Sequence, residues 1–444
     1  MIPSGRLAAG LGLALLFTAA GGALPSLGVL ALVLDGLLLL AAGIDAWRAR
    51  STPLSAEREL PTLLAQGSRA PVTVRIANES DRPVELQARD GLHPALATEP
   101  MRERFELPPR SVVSWEREIV PRRRGRHAWG PLTVRCLGPW RLAWWQRELI
   151  AEQPVRVYPR VRWGGDVGRL LALSRRHQLG RSPLRMEGQG GEPYGLRQYR
   201  PGDPPRKIHW RATARHGHLV TREETWEQGT SLILLLDAGR SLASVDDDRS
   251  KLDHALATGL ALLRVAVGRG DRVTVVAYSD RIERQVRVRS GRSGTREAYE
   301  ALFDLEARAV ESAHDLAVDA ALRLEPRRAT AVLCTSVTDL GAVERLRTAV
   351  ESLGHRFRTL LVNLEDPQVS ALAHDPPATV ADAYAKVAAM EILLANRRLG
   401  RRLSRAGILT VTTRADRLAL ETLRTYLEMM GRGSAPGSRL PLAG

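Results

Sequence analysis

An arginine-rich segment, residues 195–223, stands directly before an apolar run that ends at Asp237. The guanidinium group is a rigid fork of donors that matches carboxylates, so arginines grouped in this way need acidic partners. The arginines concerned are Arg197, Arg200 and Arg206, and the candidate carboxylate partners are Asp203, Asp237 and Asp339. Such groups hold charges in fixed positions, so the segment predicts ionic contacts rather than catalysis.

A catalytic set is not evident in the sequence. Catalysis needs a nucleophile with a positioned base, paired carboxylates, or a glycine loop that cradles phosphate. The Gly188–Gly191 run lacks a following Lys-Ser/Thr and predicts a linker, and we predict a structural hydrogen-bonding role for His209. We therefore predict that the protein is not an enzyme. The alternative is a metal-dependent hydrolase that uses Asp203, His209 and Asp237 around a cation.

The chain is basic, with 65 Lys and Arg against 49 Asp and Glu and a net charge of +16. Such a charge suits nucleic acid or the inner face of a membrane. The basic residues are scattered through the whole chain, and no zinc-ligand, recognition-helix or RNA-binding signature accompanies them. The pattern argues against a nucleic-acid role, and an Arg-rich module that binds nucleic acid or lipid stays as a further alternative.

A spaced motif runs through the arginine-rich segment. Its residues are Leu196, Arg197, Tyr199, Gly202, Asp203, Arg206, Ile208, Trp210, Ala214, Arg215, Arg222 and Glu223. It resembles the hallmark of a bacterial membrane protein family, domain of unknown function 58, which is von Willebrand A-like and commonly encoded beside MoxR-type AAA+ ATPases. The resemblance implies N-terminal membrane helices, a β-rich segment and a C-terminal α/β domain, with the motif bracing the α/β domain or forming part of a docking surface.

The same resemblance implies a divalent cation site. In von Willebrand A-type domains an Asp-x-Ser-x-Ser loop follows the first strand and, with a Thr and an Asp from later loops, holds the cation. The matching residues here are Asp237, Ser241, Ser312 and Asp339. Such oxygen ligands suit Mg²⁺ or Ca²⁺. However, Gly239 removes one hydroxyl and Arg240 adds a positive charge, so the alternative is that Asp237 and Ser241 cap the following turn or bind arginines.

Two apolar runs, Leu7 to Leu24 and Leu27 to Ile44, predict a transmembrane helical hairpin. Arginines flank the outer ends of both runs and the turn between them is uncharged, so the positive-inside rule places both ends in the cytoplasm. We therefore predict a protein of the inner membrane with cytoplasmic soluble domains. Cys136 and Cys334 lie far apart and fit buried thiols in a reducing compartment.

Two features of the apolar segment leave alternatives open. Asp35 lies in the middle of the second run, where a charge is costly, and it contacts either a partner helix or the first helix. Small residues near Ala23 are also compatible with a cleaved signal peptide, although the second run would then have no role.

Two different patterns of apolar residues follow the membrane segment. Short alternating runs bounded by turn formers predict an all-β sandwich, and later apolar strands that alternate with amphipathic helices predict a parallel sheet covered on both faces. The second pattern fits the Rossmann-like, von Willebrand A-like α/β domain that the resemblance implies. The predicted parts are the hairpin at 1–50, the sandwich at 51–160, a linker with the motif at 161–228, the α/β domain at 229–432 and a disordered tail at 433–444.

The sequence as a whole predicts a membrane-anchored adaptor protein. Its docking face is expected at Asp237, Ser241, Ser312 and Asp339, and no small-molecule substrate is evident. By resemblance, the partners are a MoxR-type AAA+ ATPase and client proteins, in the assembly or remodelling of envelope or respiratory complexes.

Overall fold

The structure, a computed structural model, describes residues 1–20, 25–61, 63–91, 93–96, 101–161, 192–199, 208–225, 231–246, 249–288, 291–325 and 329–431. The predicted tail at 433–444 and residues 162–191 of the predicted linker lie outside the described residues. Tertiary contacts divide the chain into two compact units, an N-terminal unit Met1–Arg160 and a C-terminal unit Val161–Gly444.

The N-terminal unit starts with two apolar helices that pack against each other. Its first elements are β1 (Ile2–Pro3), α1 (Gly5–Ala20) and α2 (Pro25–Arg50). Small residues line the contact between the helices: Ala14 and Ala42 are buried, and a Cβ on Gly10 would lie 3.4 Å from Leu38 Cδ1. Leucines on the outer faces, such as Leu32 and Leu40, are exposed. Apolar side chains that face outwards in this way suit a lipid environment.

Helix α2 is the membrane-spanning candidate. Among the described residues, Gly28–Arg50 is the one helical stretch long and apolar enough to cross a bilayer, whereas the apolar stretch of α1, Gly5–Leu16, is shorter. This finding supports membrane association through α2. The second crossing and the cytoplasmic orientation remain predictions. Asp35 lies on α2 with a buried Oδ1 that has no hydrogen-bond partner among the described residues.

The rest of the N-terminal unit is built from strands. They are β2 (Leu54–Glu59), β3 (Leu64–Ala65), β4 (Ala70–Asn78), β5 (Val84–Asp90), β6 (Met101–Leu107), β7 (Ser111–Ile119), β8 (Gly125–Trp129), β9 (Leu132–Leu137), β10 (Ala143–Ile150) and β11 (Gln153–Tyr158). Within the described residues they form sheets in the orders β1-β10-β9-β5-β6, β2-β4-β7 and β3-β11-β8. Inward side chains from all three sheets, among them Val74, Leu86 and Trp129, share one core. The alternating pattern of the sequence therefore corresponds to strands with one buried face.

The C-terminal unit alternates strands and helices after an initial ribbon. Its elements are β12 (Glu192–Gln198), α3 (Trp210–His216), β13 (Val220–Thr225), β14 (Ser231–Asp237), β15 (Val245–Asp246), β16 (Arg249–Ser250), α4 (Lys251–Gly268), β17 (Arg272–Tyr278), β18 (Ile282–Val288), α5 (Arg292–Leu302), α6 (His314–Leu324), β19 (Ala329–Thr335), α7 (Leu340–Gly354), β20 (Arg358–Leu364), α8 (Pro367–His374), α9 (Val380–Arg405), β21 (Leu409–Thr413) and α10 (Leu418–Gly431). Helices α4 and α9 both begin with capping boxes, which satisfy amide groups of their first turns.

A central sheet holds this unit together. Within the described residues its strand order is β18-β17-β14-β19-β20-β21, and every neighbouring pair is parallel except β18 with β17. Strand β14 is buried along its whole length because Leu234 faces one apolar layer and Leu235 the other. Helices therefore cover both faces, and the carboxyl ends of β14 and β19 lie side by side. Ligands of open α/β sheets collect at this edge.

A buried aspartate at the end of α2 joins the helix to the sheet of the same unit. Asp45 is fully buried, and its carboxylate accepts hydrogen bonds from the backbone N–H groups of Trp140, Leu142 and Ala143, at 2.8, 2.8 and 3.1 Å. These groups belong to the turn between β9 and β10. The turn passes so close that a Cβ on Gly138 would lie 2.2 Å from Asp45 Cγ. Helix α2 and the sheet are thus held in a fixed relation.

Gly138→Ala tests this contact. The added methyl group must displace the Asp45 carboxylate, and each hydrogen bond to a charged group contributes about 1.5–3 kcal/mol, so we expect the free energy of unfolding to fall by about 3 kcal/mol. The measurement is guanidinium unfolding of the full chain in detergent, followed by tryptophan fluorescence. Gly43→Ala on the same helix is the control, because an added Cβ there meets no heavy atom within 4 Å. Equal unfolding midpoints for the two variants would contradict the proposed contact.

Candidate functional site

Asp237 ends strand β14 at the carboxyl edge of the central sheet and is fully buried. Its Oδ1 accepts hydrogen bonds from the Gly239 N–H at 2.8 Å and the Ser312 hydroxyl at 2.6 Å, and its Oδ2 accepts one from the Thr335 hydroxyl at 2.5 Å. A buried carboxylate is stable only when such donors replace its hydration. The side chain therefore ties together three segments of the chain that are distant in sequence.

The sequence predicts that residues from all three of these segments meet at this edge. Ser312 was among the candidate residues, and the structure places it on Asp237. From the third segment the sequence predicts Asp339, whereas the hydroxyl that donates to Asp237 belongs to Thr335. Parallel pairing places Leu236 beside Cys334, so Asp237 and Thr335 continue the same register. The sequence did carry this signal, because Thr335 directly follows the apolar residues of β19.

Gly239 leaves room for Ser312. A Cβ on Gly239 would lie 2.1 Å from Ser312 Oγ and 3.0 Å from the Val310 carbonyl oxygen. The close approach is fixed by the backbone, because the Arg240 N–H donates to Val310 O at 2.8 Å. The Ser312 hydroxyl thus stands where a side chain at position 239 would otherwise lie. The missing hydroxyl that the sequence analysis noted is a steric consequence of this packing.

Four charged side chains surround this buried centre at the surface, and we call them the rim: Arg240, Glu311, Asp339 and Arg345. Glu311 accepts from Arg240 at 2.7 Å and from Arg345 at 2.9 Å, and the Arg240 guanidinium lies 3.7 Å from Asp339 Oδ2. The side chains are 42–55% exposed. Ion pairs as exposed as these add little to stability, so their alternating charges are available to a partner.

Asp339 and Ser241 hold structural positions at the edges of the site. Asp339 is the N-cap of α7, and its Oδ1 accepts from the Ala342 N–H at 2.7 Å. The backbone carbonyl of Ser241 accepts from Lys251 Nζ at 3.3 Å. Lys251 is itself buried and pairs with Asp366. The sequence does not indicate that Lys251, at the start of α4, is buried against the loop of Ser241.

A pocket of about 630 Å³ opens beside the rim, between α6 and α7. Its lining includes Glu311, His314, Asp315, Asp319 and Arg345. Carboxylates outnumber the single arginine in this set, so the pocket suits a positively charged group.

His314 forms the floor of the pocket and is buried. Its Nδ1 lies 2.9 Å from the hydroxyl of Tyr278, a fully buried tyrosine. Burial lowers the pKa of His314, and Arg345 acts in the same direction, whereas Asp237 and Asp315 oppose the change. Burial and the nearby Asp237 raise the pKa of Tyr278 well above its usual range. Both groups are therefore neutral near pH 7 and hold the floor of the pocket in place.

The residues implied as cation ligands fit a cation poorly in this arrangement. The hydroxyl groups of Ser312 and Thr335 donate to Asp237, and Asp339 Oδ1 caps a helix. In addition, the Arg240 guanidinium beside Asp339 would repel a divalent ion. Of the two alternatives from the sequence, the arrangement favours the hydrogen-bonded one. A Mg²⁺ or Ca²⁺ site stays a prediction.

The arginine-rich motif forms a ribbon and a short helix. Strands β12 and β13 pair antiparallel, with Leu196 opposite Arg222 and Gly195 opposite Glu223, and α3 lies between them in sequence. Tyr199 extends the ribbon through its N–H to Leu219 O at 2.8 Å. Trp210 and Arg215 are exposed on α3. The structure thus places the two ends of the motif together.

Several motif residues lie outside what the structure describes. Gly202, Asp203 and Arg206 are not among the described residues, and only the backbone is described for Arg197, Arg222 and Glu223. The expected pairing of the motif arginines with Asp237 and Asp339 stays a prediction, because Arg200, Arg206 and the side chain of Arg197 lie outside the described residues. Asp237 accepts hydrogen bonds from two hydroxyl groups and one backbone N–H. The Arg240 guanidinium lies 3.7 Å from the Asp339 carboxylate.

His209 has a structural role in the described contacts. Its Nδ1 accepts from the Ala212 N–H at 3.1 Å and so caps the first turn of α3. The predicted structural role of His209 agrees with this geometry, and the hydrolase alternative stays a prediction.

Comparison with known proteins places the second half of the chain in a family context. A family model described as "Protein of unknown function DUF58" matches residues 195–410, a range that begins in β12 and ends in β21. This match confirms the resemblance to domain of unknown function 58 over that range. Nothing in it bears on a von Willebrand A-like fold or on a MoxR-type partner.

Curated proteins of unknown role also match part of this chain. Uncharacterized protein Rv1480 of Mycobacterium tuberculosis and Uncharacterized protein Mb1516 of Mycobacterium bovis are each 28% identical over 183 residues, 41% of this chain. The chain spans 57% of the length of these relatives.

Solved structures show only distant similarity. Proximal thread matrix protein 1 from the mussel byssus is 12% identical with a TM-score of 0.26, covering 45% of each chain. The CARDB domain of a Pyrococcus furiosus protein, solved in complex with di-metal ions, is 14% identical with a TM-score of 0.19, covering 24% of this chain and 93% of that domain. Scores this low do not define a shared fold.

A double-mutant cycle tests the packing of Gly239 on Ser312. Gly239→Ala forces the Ser312 hydroxyl away from Asp237, and loss of a hydrogen bond to a buried charge costs about 2 kcal/mol. Ser312→Ala removes the same bond and also the closest of the steric contacts, and it leaves the contact with the Val310 carbonyl oxygen. We therefore expect the double variant to be at least about 1 kcal/mol more stable than the sum of the single effects predicts.

The measurement is the free energy of unfolding of the full chain in detergent, followed by circular dichroism. Gly268→Ala serves as the control, since no heavy atom lies within 4 Å of an added Cβ there. Strictly additive effects of the two changes would mean that Gly239 and Ser312 are not coupled as described.

Proposed function

We propose that this chain is a membrane-anchored adaptor that binds another protein at the carboxyl edge of its central sheet. Helix α2 would provide the anchor, with α1 as the second arm of a hairpin and the soluble units on the cytoplasmic side. The C-terminal unit would act as a von Willebrand A-like domain. The observation that carries the proposal is the rim, a set of exposed charges at the edge where sheets of this class bind partners.

The rim has the properties of a recognition surface. Its charges alternate along Arg345, Glu311, Arg240 and Asp339, so a partner needs a complementary order of charges to avoid repulsion. The buried hydrogen bonds of Asp237 fix the backbone from which two of these side chains project. Binding therefore requires little ordering of the loops, which lowers its entropic cost.

The pocket beside the rim adds a site for one side chain of the partner. Its acidic walls favour a Lys or Arg, and Arg345 at its edge already pairs with Glu311. A basic anchor that enters a pocket between α6 and α7 would combine burial with charge pairing.

The proposed docking face lies further towards the surface than the residues that the sequence predicts. Asp237 is fully buried and so supports the face without reaching a partner, and Glu311, Arg240 and Arg345 take its place at the surface. Asp339 stays within the face. The partner we propose is a MoxR-type AAA+ ATPase, acting with client proteins in the assembly or remodelling of envelope or respiratory complexes. That identity rests on the family resemblance.

The double variant Glu311→Gln/Asp339→Asn tests the rim. Asn keeps the helix cap at position 339 and Gln keeps the size of the side chain, so the fold is preserved while two negative charges are lost. Exposed ion pairs contribute about 0.5–1 kcal/mol each, so the loss of two should lower recovery of a MoxR-type ATPase with the membrane-extracted chain about fivefold to thirtyfold. Quantitative mass spectrometry of the co-purified ATPase gives the value.

Glu297→Gln is the matched control, because Glu297 is an exposed glutamate on α5. It should leave recovery of the ATPase unchanged. Equal recovery with the rim variant and with the control would remove the rim from the docking face.

A further inference from the structure

The outer face of helix α9 carries a row of exposed apolar side chains. Val380 and Tyr384 are each 75% exposed, and Val387, Met390 and Leu394 are 56%, 46% and 45% exposed. The opposite face of the helix is buried at Ala389, Leu399 and Leu403. Single exposed apolar residues are common, but a continuous row on one helix marks a contact surface. We call this row the α9 stripe.

The position of α9 leaves its first half accessible. The Asn396 side chain donates to Val337 O at 3.2 Å, in the loop that follows β19, so the helix reaches the carboxyl edge of the sheet at this point. Before it, α9 packs on the short helix α8. A capping box at Thr379 and Asp382 fixes the first turn. The stripe therefore lies on a preformed helix, which needs no folding when a partner binds.

The spacing of the stripe is that of a paired helix. Val380, Val387 and Leu394 are seven residues apart, and Ala383 and Met390 fall between them at steps of three and four. Apolar residues at alternating steps of three and four form the seam between two helices. From Val380 to Leu394 the seam is about 21 Å long, which corresponds to two heptads.

The charges beside the seam identify the partner helix. Lys386 precedes the seam residue Val387, and Glu391 follows the seam residue Met390. In a parallel pair of helices, side chains five residues apart on the two chains, at these flanking positions, form ion pairs. Lys386 of one copy then meets Glu391 of the other, and two-fold symmetry produces the contact twice. In an antiparallel pair these two positions lie on different sides of the seam.

We propose that the α9 stripe is a self-association surface, on which α9 of a second copy docks in parallel with Val387 against Val387. Two copies in one membrane diffuse in two dimensions, so a short seam gains from their high effective concentration. The proposal does not depend on the proposed adaptor function, because it is tested on the purified chain without any partner.

Site-specific oxidation tests the symmetric contact. Cys136 and Cys334 are buried, so Val387→Cys introduces one accessible thiol. With diamide as oxidant, the full chain in vesicles should form a disulfide-linked dimer. The matched control is Ala381→Cys, at an exposed position of the same helix beside the seam, and it should stay largely monomeric. Equal cross-linking at the two positions, or none at Val387→Cys, would overturn the proposal.

A charge exchange tests the parallel direction. Lys386→Glu and Glu391→Lys should each weaken dimerisation of the full chain in detergent by about fivefold, because each places like charges at two symmetric contacts. The double exchange should restore the wild-type dissociation constant, measured by analytical ultracentrifugation. Lys386 also donates to Asp375 O at 2.9 Å in its own chain. That bond is absent from the double variant, so restoration can come only from the contact between copies.

Two further results bear on the partner and on the direction of pairing. If the chain is monomeric and a lipid-soluble quencher in protein-free vesicles quenches a fluorophore attached to Val387→Cys but not one attached to Ala381→Cys, the stripe binds lipid. If the single and double exchanges weaken dimerisation equally, the helices do not pair in parallel. Either result contradicts the proposal.

Discussion

The carboxylate of Asp237 is the constraint on which the C-terminal unit depends at its functional edge. A charge with no exposure to solvent must be surrounded by donors, and here they come from the loop after β14, the loop before α6 and the last residue of β19. Removing any one donor leaves a buried charge partly unsatisfied, so the three segments are fixed as a group. The loop that carries Arg240 and the loop that carries Glu311 are consequently fixed by these hydrogen bonds. A surface charge is useful for recognition only when its position is fixed in this way.

The N-terminal unit applies the same physical principle at the end of α2. Asp45 is buried among backbone N–H groups of the turn between β9 and β10, and Ser4 binds the same turn through its N–H to Leu142 O and its hydroxyl to Arg141 O. An apolar helix could rotate or slide against a sheet with little change in energy, because apolar contacts are not directional. Directed hydrogen bonds to a buried charge remove that freedom. Helix α2 and the strands of this unit are therefore held in a fixed relation.

The sequence predicted regular elements better than it predicted contacts. Apolar runs in the sequence predict strands at 231–236, 272–278 and 359–363, and helical periodicities predict helices at 251–267 and 381–405. These bounds are close to those of β14, β17, β20, α4 and α9, because burial leaves a strong local pattern. The edge strand β18 escaped detection because one of its faces is polar and exposed. The donors of Asp237 depended on the register between β14 and β19, and a register is a tertiary property. Asp45 resembled one more charge at the end of an apolar run. Its burial follows from a turn almost 100 residues later in the chain, which no local pattern records.

The placement of the α9 stripe gives the rim a further property. Asn396 connects α9 to the loop at Val337, and the Val337 N–H donates to Asn363 Oδ1 at the end of β20, so the helix is fixed to the edge that bears the rim. Two chains paired through α9 then present two rims at a constant separation. A partner with repeated binding sites would engage the second rim as an intramolecular step, at an effective concentration set by that geometry. A single rim binds weakly, but two rims together favour a partner that carries repeated binding sites over one that carries a single site. The modest energy of each exposed ion pair is thus compatible with a specific assembly at the membrane.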